Sequence, residues 1–334
     1  MDLSTILMNR SNASKNQGSI QDKVGSIRDF VTQRRVQDKL LENRPLYLQL
    51  CSCMDTVSDT QQAIDFYKAK IDSEAISTGE LYLQVYGLLQ SIFVQQDASI
   101  DMANSLGIAD NIINYPVLTK IRNIRSQSVG HPTNYRNGQS FNTIVQHSLS
   151  KKSFEIFSYD SRGTHSASVI QILGILKDQE TYIGEILTKI FNEVNKKDNE
   201  HKLKFKDMKI SECFTKPDVF YCCEKMIEAL ITSKEYSVPQ LGKYGIEGIK
   251  SALDNFQNKL AERGVKIDTY PGIEIVFNDC KYLVEKLITY FSDLIGSRST
   301  AIDNKTAEIF AEYIRGKVNE LFGMAKEIDE EYSP

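Results

Sequence analysis

Apolar residues recur every three or four positions along nearly all of this chain, and that spacing constrains the fold more than any other feature. Such a period puts one apolar stripe on an α-helix. Ile20, Val24, Ile27 and Val31 set it for a first helix over 20–43. Arg44-Pro45 is its expected stop, because proline lacks the N–H that the ladder needs and restricts the residue before it. Leu46, Leu50, Cys53, Val57 and Ile64 predict a second helix over 46–70. A third starts at the cap-like Ser77-Thr78-Gly79-Glu80, carries Leu81, Val85, Leu88 and Ile92, and ends near Leu106-Gly107. A fourth follows Pro116, uses Val117, Leu118, Ile121 and Ile124, and is terminated by Gly130-His131-Pro132. With only seven prolines in 334 residues, long helices meet few breaks.

One stretch has strand character. Phe141–His147 and Phe154–Tyr159 are rich in β-branched and aromatic residues and partly alternate, which predicts a hairpin over about 141–159. Asp160–Gly163 is a further turn, and a fifth helix is expected from Ala167 to Val194. Residues 195–209 are polar and hold six lysines, which suits a solvated linker or, as a second reading, a nucleic-acid arm. Alternation over Lys202–Lys206 leaves room for a short edge strand. Four more helical patterns follow near 217–234, 244–263, 272–295 and 303–328, with breaks at Gly264, Pro271 and Gly296. The expected fold class is therefore mostly α: a helical domain over 20–195 with an inserted hairpin, a linker over 196–209, and a helical bundle over 210–334. Residues 1–19 are expected to form a mobile arm without the basic start and apolar core of a secretion signal. Gly242, Gly245 and Gly248 are spaced by three, but no strand precedes them and the lysine of a phosphate-binding loop is missing.

Charge narrows the function. The chain is acidic overall, with a net charge of −4, so its surface as a whole is not built for nucleic acid. Yet residues 111–153 contain no Asp or Glu and hold Lys120, Arg122, Arg125, Arg136, Lys151 and Lys152, together with His131 and His147. A phosphate-bearing partner would bind there. The six cysteines (51, 53, 213, 222, 223 and 280) form no C-x-x-C pair, so the expectation is reduced, buried thiols in a cytoplasmic protein, with no metal and no cofactor. No apolar run reaches the roughly 18–20 residues that span a membrane. His147 is expected to pair within a strand, and His165 and His201 to be solvated.

Arg125-Ser-Gln-Ser-Val-Gly-His131 resembles the R-x(4–6)-H signature of the HEPN superfamily, and Leu88–Asp97 is similar to a HEPN helix. The resemblance covers about 20–195. It implies a helical bundle that pairs as a homodimer and cleaves RNA without a metal. His131 would be the acid/base, since an unperturbed imidazole titrates near neutrality. Arg125 would hold the phosphoryl oxygens with its planar fork. Ser126 stands where such domains often carry Asn, Asp or His, and is placed with them as a catalytic candidate. Lys120, Arg122, Asn123, Asn134, Tyr135 and Arg136 are the RNA-contact candidates, with Tyr135 able to stack on a base. A toxin or phage-defence role, with a neutralising or sensor protein as a further partner, is what the resemblance suggests. Two other readings stand beside it. One is a non-catalytic module of the same fold that binds a nucleotide, RNA or protein. The other is purely structural, with cations capping the negative end of a helix.

Overall fold

The computed structural model describes residues 18–74, 77–108, 115–135, 137–160, 162–215, 218–232 and 239–332, apart from the side chains of Arg34, Arg35 and Asp38. The expected arm over 1–19 lies almost wholly outside the described residues, as does Arg136. The fold is mostly α, with one small antiparallel sheet. No described helix is long and apolar enough to cross a membrane.

The first helical pattern is two helices, α1 (Ile20–Val31) and α2 (Arg34–Leu41). Ser19 opens α1 with a capping box: its hydroxyl accepts from the Asp22 N–H, and the Asp22 carboxylate accepts from the Ser19 N–H. Pro45 does not end a helix but begins one. It lies in the first turn of α3 (Arg44–Ala69), where a missing N–H costs nothing, and Asn43 caps that turn. Ser77 caps α4 (Thr78–Ser105) by accepting from the Glu80 N–H at 3.2 Å. The next helix, α5 (Pro116–Arg125), again starts on a proline.

The hairpin is present and has a third strand. β1 (Ser140–Ile144) pairs with β2 (Ser153–Asp160), which pairs with β3 (His165–Gln171), all antiparallel. The fifth helix was expected to start at Ala167, inside what is β3. The turn explains the difference: the Asp160 carboxylate accepts from the backbone N–H groups of Arg162 and Thr164, each at 2.9 Å. Gly163 takes φ +84°. That turn sends the chain back along β2, with His165 opposite Tyr159. Ile144, Phe154 and Ile156 are buried, whereas His165 to Val169 are exposed.

Helix α6 runs from Ile172 to Phe205. It continues through the lysine-rich segment expected to be a linker, and no strand forms at 202–206. That segment contains no proline or glycine, so nothing interrupts the ladder. Val194 and Phe205 are buried, and Lys202 pairs with Asp198 four residues earlier. The chain divides into two compact units between Lys196 and Lys197. The first has its own core, built from α1, α3, α4, α5, α6 and the inner face of the sheet. The second is a bundle of α7 (Val219–Ile231), α8 (Pro239–Glu262), α9 (Pro271–Ile295) and α10 (Asn304–Glu331) around a separate core. The glycine spacing in α8 serves packing. A methyl at Gly245 would stand 2.5 Å from the Cys222 carbonyl oxygen, and one at Gly248 2.5 Å from the Cys222 sulfur.

Candidate functional site

The acid-free basic segment enters the fold at the end of α5. Ile121 and Ile124 fix that helix in the core, which leaves Arg122 and Arg125 toward its margin. After Arg125 the backbone widens into a single π-turn, Ser126–Gly130, closed by the His131 N–H donating to the Ser126 carbonyl at 2.9 Å. Turns of this kind are frequent at functional sites. Buried Ser128 supports it by donating to the Ile124 carbonyl at 2.6 Å. A 3-10 turn, Pro132–Asn134, follows. It is tied to the sheet by Asn142, whose amide donates to the Pro132 carbonyl at 3.4 Å and whose side-chain oxygen accepts from Ser158 at 2.7 Å. His131 thus projects from a junction held on both sides. It is the backbone of His131, not its imidazole, that caps the helix end, and the side chain is exposed.

The two arginines meet one face of α4. Gln90, Phe93 and Asp97 are spaced by three and four, so they form a single stripe. Both guanidinium carbons lie over the Phe93 ring, Arg122 at 4.2 Å and Arg125 at 4.3 Å from its centroid. A cation over an aromatic face is attracted by the ring quadrupole. The hydrogen-bond partners differ. Arg122 donates to the Asp97 carboxylate at 2.6 Å. Arg125 donates to the side-chain oxygen of Gln90 through Nε at 3.1 Å and Nη2 at 2.7 Å. Its Nη1 packs on Gly130, where a methyl group would stand only 2.5 Å away. Glycine at 130 therefore lets the guanidinium fold back over the π-turn, beside the residue that precedes His131.

The remaining candidates divide. Ser126 is half-buried and contributes its carbonyl to the turn. Lys120, Asn123 and Asn134 are exposed near the same helix end. Tyr135 is a correction: it is buried, and its backbone exchanges two hydrogen bonds with Ser140 at 3.1 and 3.2 Å, so its ring is no exposed platform for a base. Arg136 lies outside the described residues. The segment's other cations are used elsewhere. Lys152 pairs with Asp72 at 2.7 Å, and buried Lys151 donates to the Ser73 hydroxyl at 2.9 Å. His147 lies in an exposed 3-10 turn rather than a strand. His165 is an exposed strand residue stacked on Phe157, and His201 lies in α6 against Phe205 and Tyr332.

Gln90, Phe93, Asp97 and Asn142 were not singled out by residue type, and Gly130 only as part of a helix end. The three α4 residues do carry a signal, their common helical face, but nothing in the chain tells which helix that face meets.

Thiol chemistry does not compete for the site. All six cysteines are unpaired, and burial pushes Cys223 and Cys280 up to about 12 and, aided by Asp101, Cys53 up to about 11. Such thiols stay protonated and unreactive near neutral pH. Among the described residues no three His, Cys, Asp or Glu side chains gather as a metal site would require. Comparison with known proteins found no matching family model, no matching curated protein and no matching solved structure.

Proposed function

We propose that this protein is a metal-independent endoribonuclease whose site is the end of α5. The observation that carries the reading is the placement of the Arg125 guanidinium over Gly130, one residue before an exposed His131. In the proposed reaction the ribose 2′-hydroxyl loses its proton to a base and its oxygen attacks the adjacent phosphorus. The bond from phosphorus to the 5′-oxygen breaks, and that oxygen takes a proton from an acid. The products are a 2′,3′-cyclic phosphate and a 5′-hydroxyl end. His131 is the acid/base, Arg125 stabilises the charge on the phosphoryl oxygens, and Ser126 lines the turn between them. A second copy of the chain would supply a second His131, so that base and acid act together. Lys120, Asn123 and Asn134 extend the contact along the RNA. Six unpaired cysteines suit a cytoplasmic setting, and a toxin or antiviral role with a restraining partner fits an enzyme of this kind.

Purified protein is to be incubated with end-labelled RNA in EDTA. Cleavage with cyclic-phosphate ends, reduced by about 10²-fold or more in His131→Ala, is expected. Equal cleavage by wild type and His131→Ala, or none by wild-type protein on a broad set of RNAs, overturns the reading. One observation favours a second reading, a non-catalytic binding module: both arginines are already engaged by α4, as anchoring residues would be. Retention of RNA without cleavage would support it.

A further inference from the structure

Two arginines lie over one phenylalanine, yet one partner is an acid and the other a neutral amide. Asp97 cancels the charge of Arg122. Gln90 accepts two hydrogen bonds from Arg125 and leaves its charge uncancelled. We infer that Gln90 is a positioning residue, which orients the Arg125 guanidinium as an anion-binding fork while keeping it cationic, and that Asp97 makes Arg122 a structural anchor.

The geometry gives the orientation. A guanidinium has five N–H groups, one on Nε and two on each terminal nitrogen. Gln90 takes the edge formed by Nε and Nη2. Phe93 covers the guanidinium, and Gly130 backs Nη1. Three N–H groups remain, and two of them, one from Nη1 and one from Nη2, form the end-on edge, which no described residue takes. That pair matches two oxygens of a phosphodiester. A glutamate at 90 would reach the same edge with nearly the same shape and a stronger, charge-assisted bond. It would also neutralise the cation, as Asp97 does for Arg122. The fork thus depends on an amide at 90, and the ligand class is a phosphodiester or another anion with paired oxygens. This inference rests on the reading of Arg125 as the phosphate ligand, but not on cleavage.

The test uses the full chain and a 2′-O-methyl RNA oligonucleotide, which cannot be cleaved by 2′-hydroxyl attack. Binding is measured by fluorescence anisotropy over a salt series, beside thermal unfolding. Arg125→Ala is expected to weaken binding about ten-fold or more and to lower the salt slope by about one contact. Gln90→Glu is expected to do the same while the unfolding midpoint holds or rises. Asp97→Asn, which releases the charge of Arg122, is expected not to weaken binding. A merely structural role for Gln90 predicts the reverse, because the isosteric glutamate would hold Arg125 at least as well. Wild-type affinity in Gln90→Glu or in Arg125→Ala overturns the inference and leaves the cleavage assay to judge the nuclease. No binding by wild-type protein at low salt overturns it also. Binding without cleavage supports it while the nuclease reading fails.

Discussion

The two units differ in the polar groups they bury most deeply. The first threads neutral amides through its interior. Gln96 donates to Gln179 at 2.7 Å, Gln179 to Gln95 at 2.9 Å, Gln95 to Gln61 at 2.9 Å, and Gln61 to Asp65 at 2.9 Å. The four glutamines come from α3, α4 and α6 and are buried throughout. Gln61, Gln95 and Gln179 each give and accept, so one register of the three helices joins them, while Gln96 at the head of the chain only gives, and its own oxygen finds no partner among the described residues. The second unit buries a charge. The Arg263 side chain is 1% exposed, pairs with Asp329 at 2.9 Å, donates to the Met208 carbonyl, and lies over the Tyr332 ring at 4.1 Å. Asp329 in turn accepts from the backbone N–H groups of Ile210 and Ser211, each at 2.9 Å. The amide chain specifies a packing without titrating. The ion pair fastens the C-terminal helix α10 to the segment before α7 and depends on one carboxylate staying charged. Polar burial therefore need not have one purpose in one chain.

The largest expected effect tests that last dependence. Asp329→Ala leaves the Arg263 guanidinium buried without its counter-ion, at a cost of about 3–5 kcal/mol. Urea unfolding followed in each unit should show the loss in the second unit alone, and equal loss in both would end the contrast. The same carboxylate carries a pH signature. Burial pushes the Asp329 carboxyl up, but the hydrogen bonds from Ser211 and Ile210 and the Arg263 charge together hold it below its ordinary value of 3.8. A depressed folded value means the stabilisation is present above the unfolded value and is lost as pH falls through the folded one. Acid titration below about pH 4 should therefore weaken the second unit less steeply in Asp329→Asn than in wild type.

Gln179→Leu comes next. It removes the acceptor of Gln96 and the donor to Gln95 inside the core, at a cost of about 2–4 kcal/mol for the groups left unpaired. A thermal midpoint within a degree of wild type would mean that the amide chain contributes nothing. The smallest effects sharpen a difference in packing. Gly245→Ala drives a methyl against backbone atoms of α7, 2.5 Å from the Cys222 oxygen and 3.0 Å from the Met226 nitrogen. It should cost about 1–3 kcal/mol. Gly87→Ala in α4 meets open space and should gain about 0.5–1 kcal/mol, because alanine loses less backbone freedom in a helix. Chemical denaturation of both variants reads the opposite signs.

Most helices were legible because burial imposes a period, and the chain kept it: Ile20, Val24, Ile27 and Val31 are all buried. Pro45 misled at its helix because the same missing N–H suits a first turn as well as it ends a last one. Residues 165–171 misled because Val169 and Ile170 fit a helix start equally well, and only pairing with β2 chooses the strand. The lysines after Val194 misled because a polar composition was weighed above the lack of any helix breaker. At the candidate site, Arg125 and His131 were legible from local spacing alone. Tyr135 was misjudged because its partner, Ser140, lies across a turn.

What the sequence determined is local and periodic: a mostly helical chain, its hairpin, and an acid-free basic segment that ends a helix at His131. What only the tertiary structure decided is which charges survive. Lys152 and Arg122 meet Asp72 and Asp97, which lie far from them in the chain, while Arg125 meets the neutral Gln90. Helical and strand periods follow from backbone geometry within a few residues. Charge pairing depends on which helix faces come together across the core, and no local spacing contains that contact.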